Sequence, residues 1–311
     1  MLYRSRNAAG TKMNILTREG IPVSQLPPGG LSVTPDSSAA PESQSTQSIT
    51  NRSLKDFLCE ALTEGIPFVD GIAPKSGSQS TWKAKSSPTT YRESAAPVYA
   101  SSKTISITKS RAEGKKQRTE TWFSRRSCHK NSAEKGTASW QEFVKAFYER
   151  HADTEHAYVP TVIGVRRAIW WKTEGIEVEV DGEKWIGITC EVWEMKHRID
   201  PKLLSNRVFP TLQIAARLDG KDEVIFLQAP VAGFAESPYA EYARDKSLVV
   251  ASYTAVERLR ILPISKEIEW IMATASDAGG NLPQFIQNLA VTGEIAKDVK
   301  MYLEWISSQR S

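Results

Sequence analysis

In the stretch SYTAVERLRILP, residues 252–263, strand alternation places Tyr253, Ala255, Glu257, Leu259 and Ile261 on one face. Thr254, Val256, Arg258, Arg260 and Leu262 fall on the other. The two arginines mark that second face as the wetter one. Glu257 is then the lone carboxylate on an otherwise apolar, inward face. Burying it unpaired would cost on the order of several kcal/mol, so it must be neutralised, hydrogen-bonded or turned toward water in a cavity. Three roles fit: a structural ion pair with an Arg or Lys elsewhere, a polar anchor for a ligand hydroxyl or head group, or a general acid–base group with Tyr253 beside it.

Aromatic residues gather in the same part of the chain: Trp170, Trp171, Trp185, Trp193, Trp270, Phe226 and Phe285. Alternation buries most of them as core, and Trp193 and Trp270 are candidates for a cavity wall. In KWIGITCEVWEMKH, residues 184–197, Trp185, Thr189, Glu191, Trp193 and Met195 share one face. Ile186, Ile188, Cys190, Val192 and Glu194 share the other. Which face is inside stays open, so Cys190 is either a cavity thiol or an inert buried one. His197 reads as a surface residue. The three cysteines, Cys59, Cys128 and Cys190, are odd in number and far apart, and His151 and His156 stand five apart. Neither a disulfide framework nor a zinc site follows. There is no GxSxG elbow, P-loop or dinucleotide fingerprint, so no cofactor is expected and binding is favoured over chemistry.

The 311 residues, 40% apolar and 24% charged, suit a soluble globular protein with a sizeable core. The first residues show no signal peptide and no run long enough to span a membrane, so a cytoplasmic setting is expected. Net charge is +4, and residues 101–130 hold nine Lys/Arg against two Asp/Glu. Within that segment, residues 103–130 are a candidate for peripheral contact with anionic membrane. Nucleic acid is disfavoured because no recognition motif accompanies the charge.

Residues 1–50 are rich in Ser, Pro, Gln, Gly and Thr and read as a disordered or loosely draped tail ahead of a domain over 51–311. An amphipathic helix begins near Asn51, with Leu54, Phe57, Leu58, Ala61 and Leu62 inward and Gly65 as its stop. A linker-like run follows, held to the domain through Trp82 and Tyr91. SKTISITKS and RTETWFSRRSCH read as a hairpin across AEGKK. SWQEFVKAFYERHADTEH reads as a helix capped by Ser139, with Phe143, Val144 and Phe147 inward. The remaining strand-like runs are joined by short links, which predicts a bent, mostly antiparallel sheet.

The chain ends with SDAGGNLPQFIQNLAV, residues 276–291. Pro283 suits a first helical turn, followed by Phe285, Ile286 and Leu289. Ile295, Val299, Tyr302, Leu303 and Ile306 continue an apolar stripe that must lie on the sheet. This run resembles the approach to the last helix in START-like lipid-transfer domains. With TWFSRRSCH, KGTASWQEF, YTAVERLRILP, EIEWIMATASDAGGNLP and KDVKMYLEWI, it is similar to a START-like family of unknown function found mainly in fungi. The resemblance covers roughly residues 51–308. It implies an α+β helix-grip fold of the SRPBCC/Bet v 1-like superfamily, in which a bent antiparallel sheet wraps a long C-terminal helix. It implies a cavity for one hydrophobic molecule such as a lipid, sterol or polyketide, closed by residues 282–308, with Tyr253, Glu257, Trp193, Trp270, Phe285, Ile286 and Leu289 as candidate lining. The alternative is a cofactor-free cyclase/aromatase-like enzyme using the same cavity. A lone acid inside would point to an anchor, and several converging titratable groups to catalysis.

Overall fold

The computed structural model describes residues 14–32, 53–108, 117–199, 204–277 and 284–310. The strands are β1 (Ile21–Pro22), β2 (Lys83–Thr89), β3 (Val98–Thr108), β4 (Gln117–His129), β5 (Val162–Trp170), β6 (Val178–Val180), β7 (Glu183–His197), β8 (Arg207–Leu218), β9 (Glu223–Ala232), β10 (Val249–Val250), β11 (Ser252–Ile261) and β12 (Ile268–Asp277). The helices are α1 (Leu54–Asp70), α2 (Trp140–Val144), α3 (His151–Tyr158) and α4 (Gln284–Ser308). One sheet runs β2-β3-β4-β12-β11-β9-β8-β7-β5. Every pairing along that path is antiparallel, which short links permit and parallel crossovers would not. The sheet closes on the long α4, the helix-grip arrangement.

Each face of the sheet is covered by different helices. On the outer face, Phe57, Leu58, Ala61 and Leu62 of α1 pack in one apolar cluster with Leu227, Val256, Ile271 and Ala273. On the inner face, Val299, Tyr302 and Leu303 of α4 pack with Phe143, Phe147, Val224, Leu259 and Trp270. Burying one large apolar side chain stabilises by about 1.5–3 kcal/mol relative to leaving it exposed, so both faces are well supplied.

Several expectations change here. Gly65 does not end α1. The helix runs on through Pro67 to Asp70, and a Cβ at Gly65 would strike the Leu227 side chain. The glycine is where the helix backbone comes down onto β9. The run assigned to a linker contains the edge strand β2, a position where Pro88 is tolerated, and Trp82 is buried against Phe68. Part of the N-terminal segment also joins the core: Ile15, Leu16, Ile21 and Leu26 belong to the outer cluster, and Ile21 pairs with Val231. The backbone N–H groups of Ile15 and Leu16 donate to Glu64 at 2.9 and 3.0 Å. A polar composition hid four apolar residues that α1 and β9 can cover. The turn AEGKK lies outside the described residues.

The face of β11 carrying Arg258 and Arg260 is not wet. Arg258 is 1% exposed, because α1 covers it and supplies Asp70 as a partner. In β7 the simple alternation fails at Gly187, where φ is +59° and the pairing with β8 shifts register between Ile186 and Thr189. The bulge moves Trp185 onto the outer face with Ile188, Cys190 and Val192. Trp193 and Met195 stay on the inner face. Cys190 is thus a buried thiol in the outer apolar cluster, its ionisation pushed up by burial.

Candidate functional site

Inner-face residues stand in rows across the strands. One row runs Arg125–Met272–Glu257–Phe226–Ala215 across β4, β12, β11, β9 and β8. A neighbouring row holds Ser127, Trp270, Leu259 and Val224, and another Phe123, Thr274, Ala255, Gln228 and Gln213. Glu257 therefore sits mid-sheet, facing the helices, as alternation predicts.

The helix opposite brings His151 and Glu155. Ser139 caps α2 through a reciprocal capping box with Glu142, but the expected single helix does not run straight. A wide turn spans Lys145–Glu149 and Arg150 leaves helical geometry at φ −138°, ψ 41°. The break starts α3 afresh at His151, with His151 and Glu155 one turn apart on the side facing the sheet. Val144, expected inward, is half-buried.

The geometry around Glu257 is closely specified. Its Oε2 accepts the Trp270 indole N–H at 2.9 Å and lies 3.7 Å from an Arg125 nitrogen. Its Oε1 lies 3.4 Å from His151 Nε2. The His151 ring stacks on Phe226 with centroids 3.8 Å apart, and its Nδ1 is 3.7 Å from Glu155. Burial pushes the Glu257 carboxyl up, but the His151 hydrogen bond and imidazole, Arg125 and the Trp270 N–H outweigh it and hold the group below its ordinary range. Glu257 is thus a buried carboxylate held chiefly by the Trp270 N–H, with His151 and Arg125 as looser neighbours. It positions Arg125 and His151.

Other groups here go the opposite way. Asp298 of α4 has its pKa pushed up to about 8, chiefly by burial, with Glu155, Glu257 and Glu294 adding to the effect against Arg125. Glu155 is raised by burial and by Glu257, against the pull of His151. Burial raises the phenols of Tyr158 and Tyr253 well above the usual range. By accessible surface each of the four is half-buried, and Glu155 keeps 22% of its side-chain surface accessible.

The candidate residues divide accordingly. Tyr253 accepts a hydrogen bond from Gln228 at 2.7 Å, lies edge-on to Phe209 and is half-buried. Trp193 is half-buried on the same face and donates to Glu191 at 2.7 Å. Trp270 has no accessible surface. It is enclosed by Phe143, Phe147 and Tyr302 and serves Glu257 from behind. Phe285, Ile286 and Leu289 fall on the opening turns of α4, and their side chains lie outside the described residues. His197, expected on the surface, is half-buried against Phe209, with its ionisation pushed down to about 4 by burial.

Sequence reading missed Arg125, His151, Glu155 and Asp298. Arg125 lies in the basic segment 101–130, and the spacing of His151 and His156 matches no metal motif. Asp298 stands beside the apolar stripe of α4, three residues after Ile295 and four before Tyr302, where a single acid carries no motif. Among the described residues no three His, Cys, Asp or Glu are placed to hold a metal ion. A separate surface groove of about 420 Å³ lies between the outer side of α3 and the end of α4, lined by Arg150, Asp153, Thr154, Trp305 and Arg310. Its two charge signs and solvent position make it a weaker candidate than the enclosed cluster.

The family described as "Protein of unknown function (DUF3074)" matches residues 122–306. No curated protein matches the chain. Among solved structures, human STARD10 is similar at a TM-score of 0.51 and 14% identity, over 84% of this chain and 82% of that one. Human StAR-related lipid transfer protein 5 is similar at 0.48 and 13% identity, over 80% and 100%. At such identity the likeness to STARD10 shows a shared fold alone.

Proposed function

The chain belongs to the DUF3074 family and has a START-like helix-grip fold, and from that premise we propose that it binds, and could transfer, one hydrophobic molecule between the sheet and α4. The observation that supports this reading is the helix-grip arrangement itself, a bent antiparallel sheet facing α4, with Glu155, Tyr158, Tyr253 and Asp298 half-buried on the facing elements. Apolar walls supply most of the affinity, about 25 cal/mol per Å² of ligand surface buried. Trp193, Phe209 and Tyr253 contribute wall, and α4 contributes the cover. Glu257 acts by holding Arg125 and His151 in place. Native mass spectrometry of the purified protein, with organic extraction, tests the reading. A stoichiometric hydrophobic passenger is expected; a clean apo mass with no lipid uptake on incubation removes it.

A second reading, acid–base chemistry on a polyketide-like substrate, is favoured by one observation. Arg125, His151, Glu155, Glu257 and Asp298 converge, where an anchor alone would need one acid. Under it, Glu155→Gln keeps binding and abolishes conversion of the bound molecule. A passenger recovered chemically unchanged after prolonged incubation counts against it.

The setting we propose is cytoplasmic, with peripheral contact to anionic membrane through residues 103–130. The three cysteines are free, and no helix among the described residues is long and apolar enough to cross a membrane. Arg125 and Arg126 face Glu257 and Glu269, so the contact falls to the other basic residues of the segment. Binding to anionic liposomes should weaken with salt; salt-insensitive or absent binding removes the membrane contact.

A further inference from the structure

We propose that the surface groove between α3 and the end of α4 is a second binding site, for a small aromatic carboxylate. It is separate from the interior and does not rest on the reading above. The groove lies beside the break in the helical run, where the wide turn at Lys145–Glu149 gives way to the non-helical Arg150. Its walls come from three places: Lys145 and Ala146 from the turn, Thr154 and Ala157 from α3, and Trp305 and Ile306 from α4. Its volume of about 420 Å³ falls within the range of about 300–1,000 Å³ usual for small-molecule sites.

Most of the charge along the groove is already matched. Glu142 takes Arg310 with both oxygens, at 2.7 and 2.8 Å, and also accepts from the Ser139 backbone and hydroxyl. Arg310 donates further to the Glu134 and Thr137 carbonyls. Arg150 meets Asp153 at 3.3 Å. What remains are donors. The exposed Lys145 ammonium has no ion pair among the described residues, and the half-buried Trp305 has no hydrogen bond to its indole N–H there.

Those unspent groups select a ligand. Unmet donors call for an acceptor, and a lining with Lys145, Arg150 and Arg310 against Glu142 and Asp153 favours an anion over a cation. A carboxylate meets the Lys145 ammonium in a charge-assisted hydrogen bond. The Trp305 ring offers a flat face, and an aromatic ring covers it at a lower cost in ordering than a flexible chain does. Tyr158 and Tyr302 stand against Trp305, with centroids 6.3 and 6.2 Å away, so packing holds that face in place before a ligand arrives. A neutral aromatic lacks the ion pair, and an aromatic amine puts like charge against Lys145.

Naphthoate, naphthylmethanol and naphthylmethylammonium share a ring system and differ in charge. Two-dimensional NMR of the full chain carrying isotope-labelled tryptophan reads the site directly, the Trp305 indole N–H peak being assigned by its loss in Trp305→Phe. At pH 7 naphthoate should shift that peak saturably with a Kd of about 1 mM, the strength expected for a ligand of its size. The alcohol, and the aliphatic anion octanoate, should each bind about tenfold more weakly, and the amine weakest. Lys145→Glu, an exposed change whose fold circular dichroism checks, should weaken naphthoate about tenfold and leave the alcohol unchanged. No shift at Trp305, or equal binding of acid, alcohol and amine, overturns the inference. Shifts confined to the Trp193 and Trp270 peaks overturn it as well, and leave the cavity reading standing.

Discussion

Two buried glutamates on opposite faces of the sheet show what each face is for. Glu269 of β12, on the outer face, has no accessible surface. It meets Arg260 at 2.6 Å, Arg126 at 2.7 Å and Arg258 at 3.3 Å. Asp70 and the Ala73 carbonyl of the α1 end take further Arg258 donors. Glu257, one strand away on the inner face, has a single short hydrogen bond, looser neighbours at 3.4 and 3.7 Å, and an arginine with two nitrogens unmatched. The outer cluster leaves one buried donor unmatched, Arg258 Nε, and gathers three arginines and two acids into one ion-pair network. The inner one leaves two Arg125 nitrogens unmatched and holds two acids, Glu155 and Asp298, whose ionisation burial pushes up.

The largest expected effect tests that contrast directly. Glu269→Gln leaves three arginines around a neutral amide, two of them largely buried, and should cost about 3–5 kcal/mol in urea unfolding. Glu257→Gln should cost clearly less. Equal losses would erase the distinction between the faces.

Next comes acid sensitivity at the closed end of the inner face. His129 is 1% exposed and bonded to Ser127 at 2.8 Å. Burial, with Arg125 adding to it, lowers its pKa from 6.5 to about 4. A histidine whose folded pKa is depressed contributes stability above its unfolded pKa and loses it as pH falls through 6.5 toward 4. About 3 kcal/mol should go in that window. Urea midpoints at pH 7 and pH 4.5 measure it, and His129→Gln should flatten the difference.

Asp298 predicts a gain. Its folded pKa is raised, so its contribution is full below the unfolded value near 3.8 and is lost as pH rises toward about 8. Asp298→Asn should therefore stabilise the protein by about 2 kcal/mol at pH 8, allowing for its partial exposure. The matching change on the outer face, Asp70→Asn, should lower the melting temperature because it weakens a pair with buried Arg258. A loss in both would mean that the inner acid is structural too.

The smallest effect concerns how the faces are sorted. Gly187→Ala imposes a Cβ at φ +59°, toward the Tyr148 hydroxyl, and should cost about 1–2 kcal/mol in thermal unfolding. No measurable change would show that the β7 bulge tolerates a side chain.

Much of this could be read without coordinates. The stripe Ile295, Val299, Tyr302, Leu303 and Ile306 is buried as its spacing required, and Glu257 faces inward as alternation placed it. These are local periodicities, and a chain of fixed geometry cannot present them otherwise. Face assignment was less secure where one residue changed the count. The bulge at Gly187 moved Trp185, and α1 dried a surface that two arginines had marked as wet. The candidate site was the least legible part. Arg125 comes from β4, His151 and Glu155 from α3 beyond a helix break, Glu257 from β11 and Asp298 from α4, and no spacing rule links residues that far apart.

The sequence by itself determined the strand and helix periods, the apolar stripe of α4 and the side of β11 on which Glu257 stands, because those depend on backbone geometry within a few residues. Only the tertiary structure decided which charges meet. Whether a buried carboxylate becomes a saturated strut, like Glu269, or a loosely held counter-ion, like Glu257, depends on how many donors other elements bring within about 3–4 Å, where electrostatic energy outside bulk water changes steeply with distance.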